Sequence, residues 1–214
     1  MTKRELAYKK IFNAIVYGEI KPGEKITERL LSESLNIGTT PIREALHELR
    51  CDGLIDFIPN RGATVRKNSI KEVEDAYNVS ALLESYAVQE ATALIEPKQK
   101  LQLKKLAENM AKADSLRDFK IYSSYNSEFH DFFHKIVDNS VLSEQIKKIR
   151  NRYFRQGSII FIIPDLCKKS LDDHFKITKM VSDGKATDAG NCMKEHLLRV
   201  KVIITDFLNN NPWA

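Results

Sequence analysis

Cysteine and long apolar runs are what this sequence most lacks. The cysteines number three, lie far apart and never stand in a CxxC spacing, which argues against a disulfide framework and a thiolate zinc site. The longest apolar run, residues 159–163, is cut by Pro164 and is too short to span a bilayer. The first ten residues are charged and lack the apolar core of a signal peptide. We therefore expect a cytoplasmic protein without a membrane segment.

A strong charge of one sign is also absent. Lys and Arg number 34 against 29 Asp and Glu, which gives a formal net charge of +5 and a pI near 9.0. The excess is uneven, because residues 1–68 hold 12 basic and 9 acidic residues and the remainder holds 22 and 20. This mild bias permits nucleic-acid binding by the N-terminal part but does not establish it.

The N-terminal third shows three helical segments followed by a β-hairpin. Apolar residues recur at helical spacing in residues 2–17, 27–35 and 41–52. An alternating segment at residues 54–58 and a returning strand at residues 63–66 flank the turn sequence PNRG. A tight turn, NIGTT, joins the second helix to the third. This order of elements predicts a winged helix-turn-helix domain.

Caps and inward faces of these helices can also be assigned. Thr27 is expected to be the N-cap of the second helix, and Thr40 is expected to cap a third helix that begins at Pro41. The second helix is expected to turn three leucines inward, namely Leu30, Leu31 and Leu35.

From residue 69 onward the pattern is helical throughout, with breaks at Pro97, Asn139, Pro164 and Gly184. The expected helices are residues 70–95, 97–116, 118–137, 141–162, 166–181 and 186–208. The predicted fold class is mainly α, with an N-terminal winged helix-turn-helix domain at residues 1–68 and a C-terminal all-α six-helix bundle at residues 69–214.

A helix-turn-helix places the N-terminal part of its second helix in the major groove. There, Arg43 could donate two hydrogen bonds to a guanine or grip a phosphate, and Arg29 is placed to hold the backbone. Arg61, at the hairpin tip, suits a minor-groove or phosphate contact. Each arginine alone could lie on a solvated face, but together they fall on the recognition elements of one fold. Weaker candidates are His47 and the pair Thr39 and Thr40, which could equally be caps.

An ordered set of motifs runs from Glu19 to Val65. It comprises a PGE loop, the helix entry ERLLS, the recognition helix TPIREALHEL and the wing sequence PNRGATV. This set resembles the GntR family of bacterial regulators. The resemblance implies an operator-binding domain in which Arg29, Arg43 and Gly62 contact DNA.

One departure from the family pattern concerns the turn before the recognition helix. The family usually places Ser-Arg before Thr-Pro, and that arginine contacts DNA, whereas this chain has Gly38-Thr39. Either the operator differs accordingly, or Arg61 and His47 compensate for the missing contact.

The C-terminal half carries a second set of motifs, Leu-Leu-Glu at residues 82–84 followed by NSEFHDFF, DDHFKITKM and MKEHLL. These resemble the FCD class of effector domains, in its shorter VanR-type form. The resemblance implies a divalent metal inside the bundle, held by an acidic or amide residue and three histidines. The matching residues are Asn126, His130, His174 and His196. The family most often has Asp in place of Asn126.

Helical periodicity can be compared with this implied metal site. His174 and His196 share faces with apolar residues and are expected to point inward, whereas His130 lies at the edge of its helix's apolar stripe. Asn126 precedes His130 by about one turn, so both side chains could chelate one ion. Imidazoles with an oxygen ligand suit Zn²⁺ or Ni²⁺, and ordinary core histidines are the alternative. His134 is expected on the surface.

The effector is expected to be a small organic acid. The family commonly places an arginine two residues before Leu-Leu-Glu, where it pairs with a ligand carboxylate, but this chain has Ser80 there. The metal or another cation, such as Arg150, could take that role. The candidate effector-binding residues are Glu84, Tyr77, Arg150 and Tyr153. The alternative is that the arginine lies on a solvated face and that the tyrosines belong to the core.

These features predict a homodimeric transcription factor that binds double-stranded operator DNA and responds to a small-molecule effector. Repression is the usual role in the family. A rival interpretation is a metal-dependent, hydrolase-like enzyme built on the histidine cluster, for which Glu84 is the one candidate general base. A third is a nucleoid protein that binds DNA of any sequence.

Overall fold

The computed structural model describes residues 1–58, 62–153, 163 and 166–211. The described chain divides into two compact units. The N-terminal unit holds residues 1–69 together with residues 151–153, and the C-terminal unit holds the remainder.

Three helices frame the N-terminal unit: α1 (Lys3–Val16), α2 (Glu28–Leu35) and α3 (Thr39–Cys51). Two of them begin at side-chain caps, because Thr2 and Glu5 form a reciprocal capping box at α1 and Thr27 caps α2. The Thr27 hydroxyl accepts a hydrogen bond from the amide of Leu30 at 3.3 Å. The predicted cap at Thr27 is therefore confirmed.

Two predictions about α2 and α3 are wrong. Thr40 is not the cap of α3, because that helix already begins at Thr39, and its N-cap is Gly38 with no side-chain hydrogen bond. Pro41 is tolerated inside the first turn, where backbone amides have no intrahelical acceptor. Leu30 does not point inward, since it is 59% exposed while its neighbour Leu31 is buried.

The predicted hairpin consists of β2 (Ile55–Ile58) and β3 (Gly62–Val65), an antiparallel pair. A third strand, β1 (Lys25–Ile26), pairs with the other edge of β3, so the strand order is β1-β3-β2. Two residues are too few to show an alternating pattern, which is why the sequence did not predict β1.

One apolar core joins these helices and strands. Ile11 of α1, Leu46 of α3 and Ile55 of β2 are all fully buried in it. Complete burial of such a side chain contributes about 1.5–3 kcal/mol to folding. Because the core takes the apolar face of α3, the polar face of that helix is left outward.

Six further helices follow in the described part of the chain. They are α4 (Ile70–Leu94), α5 (Pro97–Ser115), α6 (Phe119–Val137), α7 (Ser140–Tyr153), α8 (Leu166–Ser182) and α9 (Ala186–Asn210). The predicted fold class, a winged helix-turn-helix followed by a six-helix all-α part, is confirmed. The helix predicted over residues 141–162 is described from Ser140 to Tyr153, and its predicted remainder, residues 154–162, lies outside the described residues.

Close packing of α4 against α9 depends on a small residue. A Cβ atom at Gly190 would lie 2.8 Å from the carbonyl oxygen of Ser85 and 2.4 Å from the Cγ of Gln89.

None of the helices that the structure describes combines the length and apolarity that a membrane crossing requires.

Candidate functional sites

The outward face of α3 carries the predicted DNA contacts. Thr39, Thr40, Arg43 and His47 are all exposed, and the apolar residues of the same helix are buried on the opposite side. His47 Nδ1 lies 3.7 Å from the sulfur of Cys51, one turn further along this face. The helix thus presents polar and basic side chains that the core does not use.

Arg43 is held in place by a carboxylate from the preceding helix. Its Nε and Nη2 donate to the two oxygens of Glu28, at 2.9 and 2.8 Å. The hydrogen bonds from Arg43 lower the pKa of the Glu28 carboxyl. The Arg43 side chain is 69% exposed, so this pair contributes about 0–1 kcal/mol to stability. Its main effect is to favour one direction of the guanidinium.

The other predicted contacts flank this face or lie in the wing. Arg29 is exposed and pairs with Glu33 one turn later, with Nε and Oε1 2.9 Å apart. Gly62 opens β3 with a φ of +83°, a conformation that favours glycine. Arg61 lies outside the described residues.

Three histidines from three different helices meet inside the C-terminal unit. His130 of α6, His174 of α8 and His196 of α9 are all buried, and one ligand nitrogen from each lies within 4.8 Å of the others. The ring centroids of His174 and His196 are 4.8 Å apart. The prediction that His174 and His196 point inward is confirmed, and His130, expected at the edge of the stripe, is buried as well.

A buried carboxylate fixes the tautomer of His130. Its Nδ1 lies 2.5 Å from Glu84 Oε2, and a carboxylate only accepts hydrogen bonds, so this nitrogen carries the proton. The other oxygen of Glu84 accepts from the Ser80 hydroxyl at 2.8 Å and from Arg150 Nη1 at 3.3 Å. Burial lowers the pKa of His130 to about 4. The ring is therefore neutral at pH 7, with its Nε2 lone pair available.

The third histidine has a carboxylate partner of its own. His196 Nδ1 lies 3.3 Å from Asp173 Oδ2, and Arg199 contacts the same oxygen. Burial would raise the pKa of the Asp173 carboxyl, but the hydrogen bond and charge of His196, with Arg199, hold it below its usual value. Neither Asp173 nor Ser80 was assigned a role at this centre from the sequence.

His174 differs from the other two. It is fully buried, and among the described residues neither of its ring nitrogens has a hydrogen-bond partner. Burial lowers its pKa well below the usual value, so the ring is neutral. Buried polar atoms are normally satisfied. An orphaned imidazole beside two other buried imidazoles fits a divalent metal ion, because neutral imidazoles are common ligands of such ions.

Asn126 and His134 lie on the same helix as His130. Asn126 is half-buried one turn before His130. The expectation that His134 lies on the surface is wrong, since it is buried, with Nε2 3.1 Å from Asp131 Oδ1 and Nδ1 3.2 Å from the Ser143 hydroxyl. The ring is therefore satisfied locally, and it connects α6 to α7.

The four candidate effector residues do not all belong to one unit. Glu84, Tyr77 and Arg150 belong to the C-terminal unit, and Arg150 acts electrostatically on the side chains of His130, His174 and Tyr77. Tyr77 is buried, and that burial raises the pKa of its hydroxyl. Tyr153 belongs to the N-terminal unit, where the Arg152 guanidinium lies 5.0 Å from its ring centroid.

Comparisons with known proteins agree with this architecture. Residues 3–65 match the family described as "Bacterial regulatory proteins, gntR family", and residues 75–199 match the FCD domain. The chain belongs to the GntR family. Within that family it is of the kind whose C-terminal part is an FCD domain.

Relatives of this GntR chain are named as regulators. The HTH-type transcriptional repressor RspR of Escherichia coli is 23% identical over 206 residues, which cover 95% of this chain and 90% of that protein. The HTH-type transcriptional repressor GlaR of the same organism is 24% identical over 213 residues, 95% and 96% of the two chains. The structure titled "E. coli McbR/YncC" covers 97% of this chain and 99% of its own at a TM-score of 0.86 and 17% identity, which supports the fold.

The GntR chain is accordingly a transcriptional regulator. The enzyme interpretation is set aside, because the family and the named relatives are regulators and not hydrolases. The contacts of Glu84 agree, since both of its oxygens already accept hydrogen bonds from His130, Ser80 and Arg150.

Proposed function

We propose that this regulator represses transcription by binding a specific operator through the outward face of α3, and that a metal ion and a small carboxylate in the C-terminal unit modulate this binding. The observation that carries the DNA-binding part is the exposed, directed guanidinium of Arg43. It lies one turn into a helix whose opposite face is fully committed to the core.

A donor fork that is oriented before contact lowers the entropy cost of sequence recognition. Arginine reads guanine through two parallel hydrogen bonds, which are worth about 1–3 kcal/mol of discrimination. The Glu28 carboxylate reduces the number of orientations that Arg43 samples, so less side-chain entropy is lost on binding. Thr39 and Thr40, at the start of α3, add hydroxyls beside the backbone amides of the helix terminus, a favourable place for a phosphate.

Selection of bound fragments from the genome of origin, followed by affinity measurements at fixed salt, tests this proposal. Arg43→Ala should lose about 5- to 150-fold in preference for the selected site over a scrambled one. Arg50→Ala removes the same charge near the other end of α3 and serves as the matched control. Arg50→Ala should weaken binding to the selected and the scrambled DNA by the same factor. Preserved preference in Arg43→Ala would refute the assignment of α3 as the reading helix.

The metal site consists of His130, His174 and His196, with Asn126 as the candidate oxygen ligand. Three imidazoles with an amide oxygen suit Zn²⁺ or Ni²⁺. When bound, the ion would supply a positive charge that attracts an anionic ligand. Elemental analysis of the purified chain tests the site. We expect about one ion per chain in wild type and substantially less in His174→Gln.

The effector is proposed to be a small organic acid that Arg150 helps to bind. Ser80 occupies the place where the family has a cation, and both Ser80 and Arg150 donate to Glu84 Oε1. The Arg150 guanidinium therefore supplies, beside Glu84, the positive charge that the neutral Ser80 side chain does not. Glu84 and Tyr77 are proposed to line the same region, and Tyr153, which belongs to the other unit, is left out of this proposed site.

A thermal-shift screen of small carboxylic acids tests the anchor. An acid that stabilises wild type should lose at least tenfold in affinity for Arg150→Gln, because a charge-assisted hydrogen bond is worth about 1.5–3 kcal/mol. Undiminished affinity would contradict the role of Arg150. Operator affinity measured with and without that acid should change by about 5- to 150-fold, the usual range of allosteric coupling.

The regulator is proposed to act as a homodimer through α4. Val79, Leu82 and Tyr86 lie on one exposed stripe of this helix, and Leu82 is 59% exposed. Apolar stripes of this kind mark interfaces between proteins, and a two-fold dimer suits a palindromic operator. In sedimentation experiments Leu82→Arg should give monomers, whereas Leu101→Arg, at an exposed leucine of α5, should leave the association state unchanged. A dimeric Leu82→Arg variant would refute this interface.

A further inference from the structure

We propose that Asp173 and Arg199 are positioning residues for the metal ligand His196, a role that the comparisons do not assign. This inference rests on the proposed metal site. Asp173 and Arg199 would hold the His196 ring in one tautomer and orientation, so that its Nε2 faces the other two histidines.

The geometry of the three side chains carries the proposal. Asp173 Oδ2 lies 3.3 Å from His196 Nδ1, and a carboxylate partner places the proton on that nitrogen. The Asp173 and His196 side chains are 3% and 4% exposed, so water competes little for this contact. The lone pair on Nε2 is then available to a metal, and the carboxylate makes the imidazole a more basic ligand.

Arg199 completes the arrangement from outside. Its Nη1 contacts the same Asp173 oxygen, and its side chain is 42% exposed. A buried carboxylate is expensive without a compensating charge, and Arg199 supplies that charge from the surface. Lys176 Nζ lies 3.6 Å from the other Asp173 oxygen, but its side chain is 62% exposed, so its contribution is screened.

The same construction occurs at a second ligand of the centre. His130 Nδ1 contacts Glu84, and Glu84 in turn contacts Arg150. Two arginine–carboxylate–imidazole series therefore converge on one cluster from different helices. His174 has no such partner in the part of the chain that the structure describes. It is next to Asp173 in the sequence, so α8 supplies both one ligand and the support for another.

An ordinary ion pair that fastens α8 to α9 is the competing explanation. It predicts that loss of Asp173 or Arg199 lowers the free energy of unfolding and leaves the intrinsic affinity for metal unchanged. A positioning role predicts weaker metal binding in protein that is still folded. The ion-pair explanation and the positioning role are distinguished by measuring the affinity for metal and the tautomer of the His196 ring. A measurement of stability alone would not distinguish them.

The experiment uses the full chain and Zn²⁺, with affinity measured by competition with a chelating indicator. Asp173→Asn should bind Zn²⁺ about 10- to 100-fold more weakly than wild type. Arg199→Gln should show a smaller loss in the same direction, and it keeps the test open if Asp173→Asn fails to fold. Lys176→Gln is the matched control and should remain within about twofold of wild type, given how little an exposed ion pair contributes.

Nitrogen-15 NMR of the metal-free chain gives the second readout. In wild type the His196 ring should show a protonated Nδ1, and in Asp173→Asn that tautomer should lose its dominance. Undiminished Zn²⁺ affinity in both variants would overturn the positioning role while the metal site stands. A wild-type chain that binds neither Zn²⁺ nor Ni²⁺ would overturn the metal site and this inference together.

Discussion

We expect His174→Leu to be more stable than wild type without metal and less stable than wild type with metal bound. His174 is fully buried, both of its ring nitrogens lack partners among the described residues, and the ring of Phe129 lies 4.5 Å away, centroid to centroid. Folding the metal-free chain therefore strips water from a donor and an acceptor without replacing the lost hydrogen bonds. Leucine, of similar size, removes that penalty.

The size of the effect follows from these contacts. An unsatisfied buried polar group costs about 1–3 kcal/mol, and imperfect packing of a similarly sized replacement costs less than about 1.5 kcal/mol. We expect metal-free His174→Leu to be more stable than wild type by about 1 kcal/mol. Metal at 100 times its dissociation constant stabilises wild type by about 2.7 kcal/mol. With metal present, wild type should therefore be the more stable chain by roughly 1.7 kcal/mol.

Urea unfolding of both chains, once with a chelator and once with excess Zn²⁺, measures the two differences. His134→Leu is the matched control, because His134 is equally buried but has Asp131 and Ser143 as partners. It should destabilise the chain by about 1–3 kcal/mol in either condition, since it leaves those partners unsatisfied. If metal-free His174→Leu is destabilised as much as His134→Leu, or if Zn²⁺ stabilises His174→Leu as it does wild type, the reasoning fails.

Three further predictions concern stability. Gly190→Ala should lower the free energy of unfolding by about 1–3 kcal/mol, because the new Cβ would lie 2.8 Å from the Ser85 carbonyl oxygen. The loss should appear as a lower Tm, and an unchanged Tm would contradict this contact. Thr27→Ala should cost about 1 kcal/mol in urea unfolding by removing the cap of α2, whereas Thr27→Ser should cost little. The free energy of unfolding should fall as pH drops from 6.5 towards 4, because the unfolded chain then binds a proton that folded His130, with a pKa of about 4, does not. His130→Gln should reduce that slope without abolishing it, because folding lowers the pKa of His174 as well.

Local signals predicted most of the N-terminal unit correctly. The cap at Thr27 and the hairpin depend on residues within a few positions of one another, so the sequence pattern contains the whole interaction. Predictions failed where the deciding partner was distant or the element very short. The strand β1 has two residues, and Leu30 sits on a helix of eight residues, too short for periodicity to define its inner face reliably.

For the candidate centre, the order of motifs and the periodicity of α8 and α9 pointed to His174 and His196. What surrounds those rings could not be found in the same way. Asp173 is adjacent to His174 in sequence, yet it contacts His196 on another helix. His134 was expected in water because its helix was considered alone, and α7 in fact contributes the Ser143 hydroxyl that helps to bury and satisfy it.

The amino-acid sequence by itself determined the two-part architecture and the helix-turn-helix that contains α3, because helix periodicity, turn residues and motif order are properties of neighbouring residues. Its resemblance to the FCD class pointed to the three histidines. Only the tertiary structure decided which carboxylate contacts which imidazole, and that His174, of the three histidines, has no hydrogen-bond partner among the residues described. Hydrogen bonds between helices depend on how those helices pack, and the packing of α4, α6, α8 and α9 is encoded by the whole chain and not by any one segment.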